Sequence, residues 1–450
     1  MKILEALSVQ DWQVFQQHDG KADINIVMHL DENSWLNKPQ IEAEHKFAKI
    51  FYGVRCRCIN ENTGETVKTW TEAERTGYTF ECTIKDVPSG GPYQLQTELM
   101  FRSEQINQNW KTHNAANHVA VGDIFLIAGQ SNADGTARGL HFDEIDANVR
   151  SYKNGEWSVA SQPLGNGYTH SPFLMFGKLL SKKLGYPIAL ISRAVGGSPI
   201  KSWINGGEHM ENLKKENIGR IKGILWYQGC EEAARNQYET YEELFCNFLK
   251  TARGLFDDDK LPVITFQLNR LLSSEICSET VNIGWENIRE IQRQIAEKYD
   301  NVYLIPTIDM KTMSDHIHNS VASNKALGER CAMYALDRIY NKTVFRAPEL
   351  KKVQQSGENI LVLEFDNVMN DLCTFEVTPD KLPIMIEDEN GKNEIEKYDT
   401  DKNKITVYTS RSIEADTVVK IHFGANPEYI ITDSETQLPV VCIKNVEVKQ

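Results

Sequence analysis

The sequence has no apolar run long enough to cross a bilayer, and it has fewer basic than acidic residues. Its 450 residues include 49 Lys and Arg against 63 Asp and Glu, so the formal net charge is −14 at pH 7. A membrane-spanning helix needs about 20 predominantly apolar residues. Nucleic acids and anionic membrane surfaces attract basic patches, which an acidic chain disfavours. We therefore expect neither nucleic acid nor a membrane to be a partner.

The chain also lacks a signal-peptide pattern and a cysteine framework. Residues 1–7 have no long apolar core. The nine cysteines are an odd number without small-domain spacing, so they predict reduced thiols. Cys56 and Cys58 alternate within an apolar segment and predict strand packing, because no second Cys or His pair has metal-ligand spacing. We expect a cytoplasmic protein without a metal; a mature secreted form is left open.

The pattern along the chain predicts three domains. Hydrophobic residues make up 41% and charged residues 25%, as in soluble globular proteins, and 450 residues exceed one ordinary core. Residues 1–118 show alternating segments separated by turns, which predict a β-sandwich-like domain. Residues 119–343 alternate strands with helical stretches, which predict a parallel sheet covered by helices. Residues 344–450 return to a β-rich pattern.

The most informative segment is Gly-Gln-Ser-Asn at 129–132. It follows the apolar run 124–128, which predicts a buried parallel strand. Open α/β sheets bind ligands at the carboxyl ends of their strands, so Ser131 is a candidate nucleophile. The Gly-x-Ser-x-Gly elbow of α/β-hydrolases is absent because residue 133 is Ala. The alternative is that Ser131 only caps the next helix.

A candidate base and its partner lie far downstream, in the segment 313–318. Asp315 and His318 are three residues apart, so one turn of backbone brings both side chains to the same side. A carboxylate there can hold one imidazole nitrogen while the other faces a serine. The alternative is that Asp315 caps a helix and the histidine is an ordinary loop residue.

Two further strand ends carry groups that could stabilise an oxyanion. Gly197 belongs to a glycine pair that follows the apolar strand 188–192, where a main-chain N–H can point outward. Gln228 follows the strand 223–227 and can present a side-chain amide. Each segment is equally well explained as turn chemistry when it is considered alone.

Together these motifs resemble the sialate O-acetylesterase-like branch of the SGNH hydrolases. Gly-Gln-Ser-Asn at 129–132, Ala-Val-Gly-Gly at 194–197, Trp-Tyr-Gln-Gly at 226–229 and Asp-x-x-His at 315–318 occur in the order of that family. The likeness covers residues 119–343. It implies an α/β fold, a flavodoxin-like three-layer SGNH hydrolase core with N-terminal and C-terminal β-rich domains.

The resemblance also implies roles for single residues. Ser131 corresponds to the nucleophile, His318 to the base and Asp315 to its partner. The N–H groups of Ser131 and Gly197 and the Gln228 amide correspond to the oxyanion hole. The predicted substrate-binding residues are Asn132 and one helix face with Trp285, Arg289 and Gln292, although a Trp at helical spacing is more often a core residue. His170, after a glycine-rich loop at 165–168, is a further candidate contact.

The sequence departs from the family at two places. Cys230 stands where the family usually has Glu, and Asn319 stands where it often has Pro. Cys230 is a poor nucleophile candidate because the acidic Glu231 and Glu232 beside it raise a thiol pKa. We take these departures to affect the choice of substrate more than the type of reaction.

The sequence therefore predicts a serine esterase that hydrolyses O-acetyl esters on carbohydrates through an acetyl-enzyme. The expected substrate is an acetylated sugar, either a sialic acid or a plant oligosaccharide. The mechanism needs no metal or organic cofactor, and assembly into a homo-oligomer is left open. The alternatives are a lipase- or thioesterase-type SGNH hydrolase and a non-catalytic carbohydrate-binding protein with a decayed hydrolase core.

Overall fold

The computed structural model of the protein describes residues 4–30, 51–102, 111–165, 169–216, 218–272 and 278–449. The chain divides into two compact units. The first comprises Met1–Phe125, Glu144–Ser161 and Ser181–Ile191; the second comprises Leu126–Asp143, Gln162–Leu180 and Ser192–Gln450. The division into three domains at 118/119 and 343/344 stays a prediction. Residues 166–168 of the glycine-rich loop lie outside the described residues.

The first unit is built mainly from β-strands. Its strands are β1 Leu4–Ala6, β2 Val14–Gln16, β3 Lys21–Leu30, β4 Phe51–Asn60, β5 Thr66–Glu72, β6 Glu74–Thr76, β7 Thr79–Pro88, β8 Gly90–Arg102, β9 Lys111–Gly129, β10 Val149–Lys153, β11 Glu156–Val159 and β12 Ile188–Ser192. One antiparallel sheet has the order β1-β3-β7-β6, and β5, β4, β8 and β9 follow one another in a second sheet, which β12, β10 and β11 extend from β9. The last residues of β9 belong to the second unit.

Alternating side chains of these strands form one apolar core. The alternation predicted within residues 1–118 is seen in β3, in which Ile24 and Ile26 are fully buried. Cys56 and Cys58 of β4 lie in the same core cluster and are also fully buried. Their packing confirms the interpretation that this pair belongs to a strand. All eight cysteines among the described residues are free thiols.

The second unit contains the helices and the remaining strands. Its strands are β13 Gly223–Tyr227, β14 Val263–Phe266, β15 Val302–Ile305, β16 Glu349–Gly357, β17 Ile360–Asp366, β18 Leu372–Cys373, β19 Ile384–Asp388, β20 Gly391–Asn393, β21 Ile395–Asp401, β22 Lys404–Thr409, β23 Val418–Ile421, β24 Thr432–Asp433 and β25 Ile443–Glu447. The helices are α1 Ser131–Asp134, α2 Phe173–Leu184 (which ends in the first unit), α3 Glu208–Lys215, α4 Cys230–Ala234, α5 Tyr241–Leu255, α6 Glu279–Lys298 and α7 Val321–Arg338.

In this unit the end of β9 is followed across the sheet by β13, β14 and β15. The pairs β13–β14 and β14–β15 are parallel, so their carboxyl ends lie at one edge. Every residue of β13 and β14 is buried, as expected for a parallel strand covered on both faces. The loops after β9, β13, β14 and β15 therefore start from a common edge.

The C-terminal segment of the second unit folds as antiparallel sheets in the orders β16-β17-β22-β21 and β20-β19-β23-β25. Arg289 of α6 fastens it: the guanidinium donates to the carbonyls of Gly424 and Ala425 at 2.7 and 3.1 Å. The same group donates to Leu268 O and Asn269 O, each at 2.8 Å. A fully buried side chain therefore ties the loop after β14 to the segment after β23.

No helix among the described residues is long and apolar enough to cross a membrane.

Replacing Arg289 by Met removes the donors of four main-chain carbonyls, so we expect the free energy of unfolding to fall by about 3 kcal/mol or more. Urea unfolding followed by tryptophan fluorescence measures this loss. The control is Arg235→Met, which breaks an exposed helical ion pair with Glu231 and is expected to change stability by about 0.5 kcal/mol at most. Equal losses in the two variants would contradict the fastening role of Arg289.

Candidate active site

The turn at the end of β9 places Ser131 at the sheet edge. Gly129 has φ of +120°, and a Cβ there would lie 2.3 Å from the carbonyl oxygen of Tyr227, so only glycine fits. The N–H of Gln130 donates to the same oxygen at 2.9 Å. Helix α1 starts at Ser131 with Gln130 as its N-cap, and no side chain caps it. The structure therefore does not support the alternative that Ser131 is a helix cap.

Three predicted side chains meet in a line. The Oγ of Ser131 lies 2.7 Å from Nε2 of His318, although the two residues are 187 positions apart in the chain. Nδ1 of the same ring lies 3.0 Å from Oδ2 of Asp315. A carboxylate at Nδ1 favours the tautomer with its proton there, which leaves Nε2 free to accept the hydroxyl proton of Ser131.

The loop 311–320 presents Asp315 and His318 as a tight turn. The N–H of Met313 donates to the carbonyl of His318 at 2.8 Å and closes the turn. Partial burial raises the pKa of Asp315, but hydrogen bonds from the ring and the main chain of His318 outweigh it and hold the pKa below its ordinary value. Asp315 therefore stays ionised at neutral pH, as a partner of an imidazolium must.

Asn132, the residue after Ser131, bonds the main chain of the loop that carries His318. It is 4% exposed. Its Oδ1 accepts the N–H of Asn319 at 3.0 Å, and its Nδ2 approaches Ile317 O at 3.4 Å. Both polar atoms thus hold the two neighbours of His318, so the prediction that Asn132 binds substrate is corrected: its contacts position the catalytic loop.

Gly196 of the glycine pair lies close to Ser131. A Cβ built at Gly196 would lie 3.9 Å from Cβ of Ser131. Gly197 is exposed with φ of +69°, and its neighbours are anchored: Val195 N donates to Gly129 O at 3.0 Å and Ser198 N to Val195 O at 3.2 Å. The anchored neighbours hold the Gly197 main chain at the same edge as the serine.

Gln228 is oriented differently from the prediction. It is fully buried, and its Nε2 donates to Glu232 Oε2 at 2.5 Å and to Ser198 O at 3.3 Å. Both amide hydrogens are therefore used inside the protein, and the prediction of a side-chain oxyanion donor is corrected. The side chain instead holds Ser198, which follows Gly197.

Glu232 is a residue that the sequence did not single out. Its Oε1 accepts the N–H of Ile200 at 2.7 Å, and burial raises the pKa of its carboxyl. It follows Gln228 by four residues, which is the only signal that could have found it. Cys230, between them, is buried; burial, followed by the charge of Glu232, raises the pKa of its thiol to about 12, so it is no thiolate nucleophile.

The helix face predicted to bind substrate is interior. Trp285, Arg289 and Gln292 are between 1% and 2% exposed. Trp285 donates its indole N–H to Asn269 O at 2.9 Å, and Gln292 bonds Leu268 N and Gln228 O, each at 3.0 Å. The prediction of direct substrate contact is therefore corrected, because no polar atom of this face is turned outward.

Further hydrogen bonds link this interior helix face to the loop 311–320, which carries Asp315 and His318. Asn269, whose carbonyl accepts from Trp285 and Arg289, donates through Nδ2 to Asn319 Oδ1 at 2.6 Å. Asn319 is the residue after His318. The Asn319 departure thus has a structural function here, since its side chain takes part in a chain of hydrogen bonds that ends beside the imidazole.

The segment that contains these residues is similar to known proteins. Residues 121–337 match the family model of carbohydrate esterases described as sialic acid-specific acetylesterase. Sialate O-acetylesterase of Homo sapiens is 26% identical over 219 residues, in an alignment that covers 37% of this chain and 41% of that protein. A probable carbohydrate esterase of Arabidopsis thaliana is 23% identical over 244 residues, covering 47% of this chain and 88% of that protein. The predicted family resemblance is confirmed.

The coverage and the sequence identity define what these similarities concern. The chain spans 41% of the length of the sialate O-acetylesterases that it matches. A solved carbohydrate acetylesterase from Xanthomonas citri has a TM-score of 0.66 at 18% identity, covering 96% of this chain and 97% of that chain. At that identity the likeness concerns the fold, and it supports the mixed α/β class.

A serine that is hydrogen-bonded to an imidazole is expected to react with fluorophosphonates, because the ring accepts the hydroxyl proton during attack. We expect one covalent adduct per chain, on the peptide that contains Ser131, by mass spectrometry. Ser131→Ala is expected to abolish the adduct, whereas Ser202→Ala, which removes a half-buried hydroxyl bonded to Pro199 O, is expected to keep it. An adduct elsewhere, or none, would contradict the site.

Proposed function

We propose that this protein is a serine esterase that removes O-acetyl groups from carbohydrates, since residues 121–337 match the family model of sialic acid-specific acetylesterases. The observation that carries the proposal is the alignment of Ser131, His318 and Asp315 at 2.7 and 3.0 Å. The relatives' names point to acetylated sugars, and the proposed flavodoxin-like core with β-rich flanking domains is the scaffold of that site.

The acylation step uses the pairing of His318 with Ser131 and Asp315. Nε2 of His318 takes the proton of Ser131 Oγ as this oxygen attacks the acetyl carbonyl carbon. The main-chain N–H groups of Ser131 and Gly197 are the proposed donors to the resulting oxyanion. When the tetrahedral intermediate collapses, the bond to the sugar oxygen breaks and His318 gives the proton to that leaving oxygen.

Deacylation repeats the sequence with water as the nucleophile. His318 takes a proton from water, whose oxygen attacks the acetyl-enzyme, and acetate leaves as Ser131 Oγ regains the proton. Asp315 stays ionised throughout because its pKa is lowered, and it stabilises the imidazolium that forms twice in each cycle.

An apolar feature favours a second candidate function, an esterase for longer acyl chains. Leu140 and Phe142 are 94% and 90% exposed. Their loop touches the catalytic turn, since Arg138 N lies 3.0 Å from Sδ of Met313. A series of p-nitrophenyl esters from acetate to octanoate separates the two candidates: the acetylesterase prefers acetate, and the lipase-type enzyme prefers the longer chains.

Ser131→Ala removes the nucleophile, so we expect kcat for acetate release to fall by ~10⁶. The assay measures acetate released from O-acetylated sialic acids, acetylated xylo-oligosaccharides and acetylated manno-oligosaccharides, and the sugar with the highest kcat/KM identifies the substrate class. Activity of Ser131→Ala within tenfold of the wild-type value would refute the serine mechanism, and a wild-type enzyme that releases no acetate from any member would refute the proposed reaction.

Asn132→Ala removes both bonds that hold the neighbours of His318, so we expect kcat to fall by about 10²-fold, with KM nearly unchanged. The matched control is Asn393→Ala: Asn393 is equally buried and bonds Arg411 O at 3.0 Å. Both variants lose stability, but only Asn132→Ala is expected to lose kcat. A similar kcat in the two variants, measured well below their melting temperatures, would show that Asn132 has no positioning role.

A further inference from the structure

A cluster of metal-ligand side chains lies in the second unit, apart from the triad. We call it the His-Asp-His cluster, and it consists of His141, Asp143 and His170. Oδ2 of Asp143 lies 3.1 Å from Nδ1 of His141 and 3.1 Å from Nε2 of His170. The three donor atoms all lie within 4.8 Å of one another. None of these residues takes part in the proposed ester hydrolysis.

The two 3.1 Å distances from Asp143 Oδ2 to the imidazole nitrogens match the spacing of ligand atoms around one metal ion. With metal–ligand bonds of about 2.05 Å, adjacent donors lie about 3.3 Å apart in a tetrahedral site and about 2.9 Å apart in an octahedral site. The two measured separations fall between these values. The third separation, between the two imidazole nitrogens, is at most 4.8 Å.

The carboxylate oxygen in this cluster is buried and without a good hydrogen bond. Oδ2 of Asp143 accepts no hydrogen bond of ordinary geometry from any described residue, although its side chain is only 10% exposed. The His170 side chain is 2% exposed, so water has little access on that side. This oxygen faces two imidazole nitrogens without an aligned hydrogen bond, and a metal ion between the three atoms would satisfy it.

The other carboxylate oxygen is already held in place. Nζ of Lys325, on α7, lies 3.1 Å from Oδ1 of Asp143. Metal-binding carboxylates are commonly oriented by such outer contacts. The ammonium also repels an ion at Oδ2, so Lys325 is expected to weaken binding while it fixes the geometry.

We propose that the His-Asp-His cluster binds one divalent ion of the zinc type. Two imidazole nitrogens and one carboxylate suit such borderline ions, whereas Mg²⁺ and Ca²⁺ prefer all-oxygen sites. The ion would fasten the loop after α1 to the segment before α2, which already meet through the Ala137–His170 bridge. No metal-ligand spacing is visible in the sequence because the two histidines are 29 positions apart, and only the fold brings them together.

Calorimetry with Zn²⁺ on the tag-free full chain tests the proposal, with Co²⁺ absorption as a direct readout of imidazole ligation. We expect one ion per chain, and at least tenfold weaker binding in His141→Ala and Asp143→Asn. Lys325→Gln is expected to bind Zn²⁺ more tightly than the wild type. Mg²⁺ and Ca²⁺ are expected to give no signal.

The matched control is His118→Ala. Nδ1 of His118 lies 2.7 Å from Oε2 of Glu61, so it pairs an imidazole with a single carboxylate and without a second histidine. This variant is expected to bind Zn²⁺ like the wild type. Equal binding by wild type and Asp143→Asn, or a chain that takes up neither Zn²⁺ nor Co²⁺ at this stoichiometry, would overturn the proposal. Circular dichroism of each variant verifies that it is folded.

Discussion

The geometry of the candidate site depends on the hydrogen bonds that hold the loop 311–320 against the end of β9. Asn132 follows the nucleophile and bonds the main chain on both sides of His318. Ser131 is the first residue of α1, and Asn132 of the same helix holds the loop that carries His318. One short segment therefore positions both the hydroxyl and the imidazole. A shift of this loop would separate Oγ of Ser131 from Nε2 of His318, which lie 2.7 Å apart.

Behind the loop, polar side chains of α6 act as an internal support. Trp285, Arg289 and Gln292 satisfy main-chain atoms of the loop after β14, and Asn269 of that loop bonds Asn319. Buried polar groups of this kind are costly unless they find partners, and these side chains supply partners for the main-chain atoms of the loop. Arg289 also bonds the main chain at Gly424 and Ala425. The β-rich C-terminal segment and the catalytic loop are thus held by the same helix.

Sequence reasoning succeeded where a residue's chemistry follows from its local pattern. The buried strand before Ser131 is observed as the end of β9, and the side chains of Asp315 and His318, three residues apart, lie 3.0 Å from each other. It failed for Gln228 and for the α6 face. Their spacing and residue types suit substrate binding as well as core hydrogen bonding, and one-dimensional periodicity does not tell which side of a buried helix faces a cleft.

The sequence by itself determined the strands, the order of the motifs and the residue types of the triad, because these depend on local periodicity and on side-chain chemistry. Only the tertiary structure decided which polar groups are turned outward. The amide of Gln228 faces Glu232, and Asn132 faces the main chain of the catalytic loop. Only the fold brings His141 and Asp143 to His170. The reason is that contacts between distant segments arise from the packing of whole elements, which no local pattern encodes.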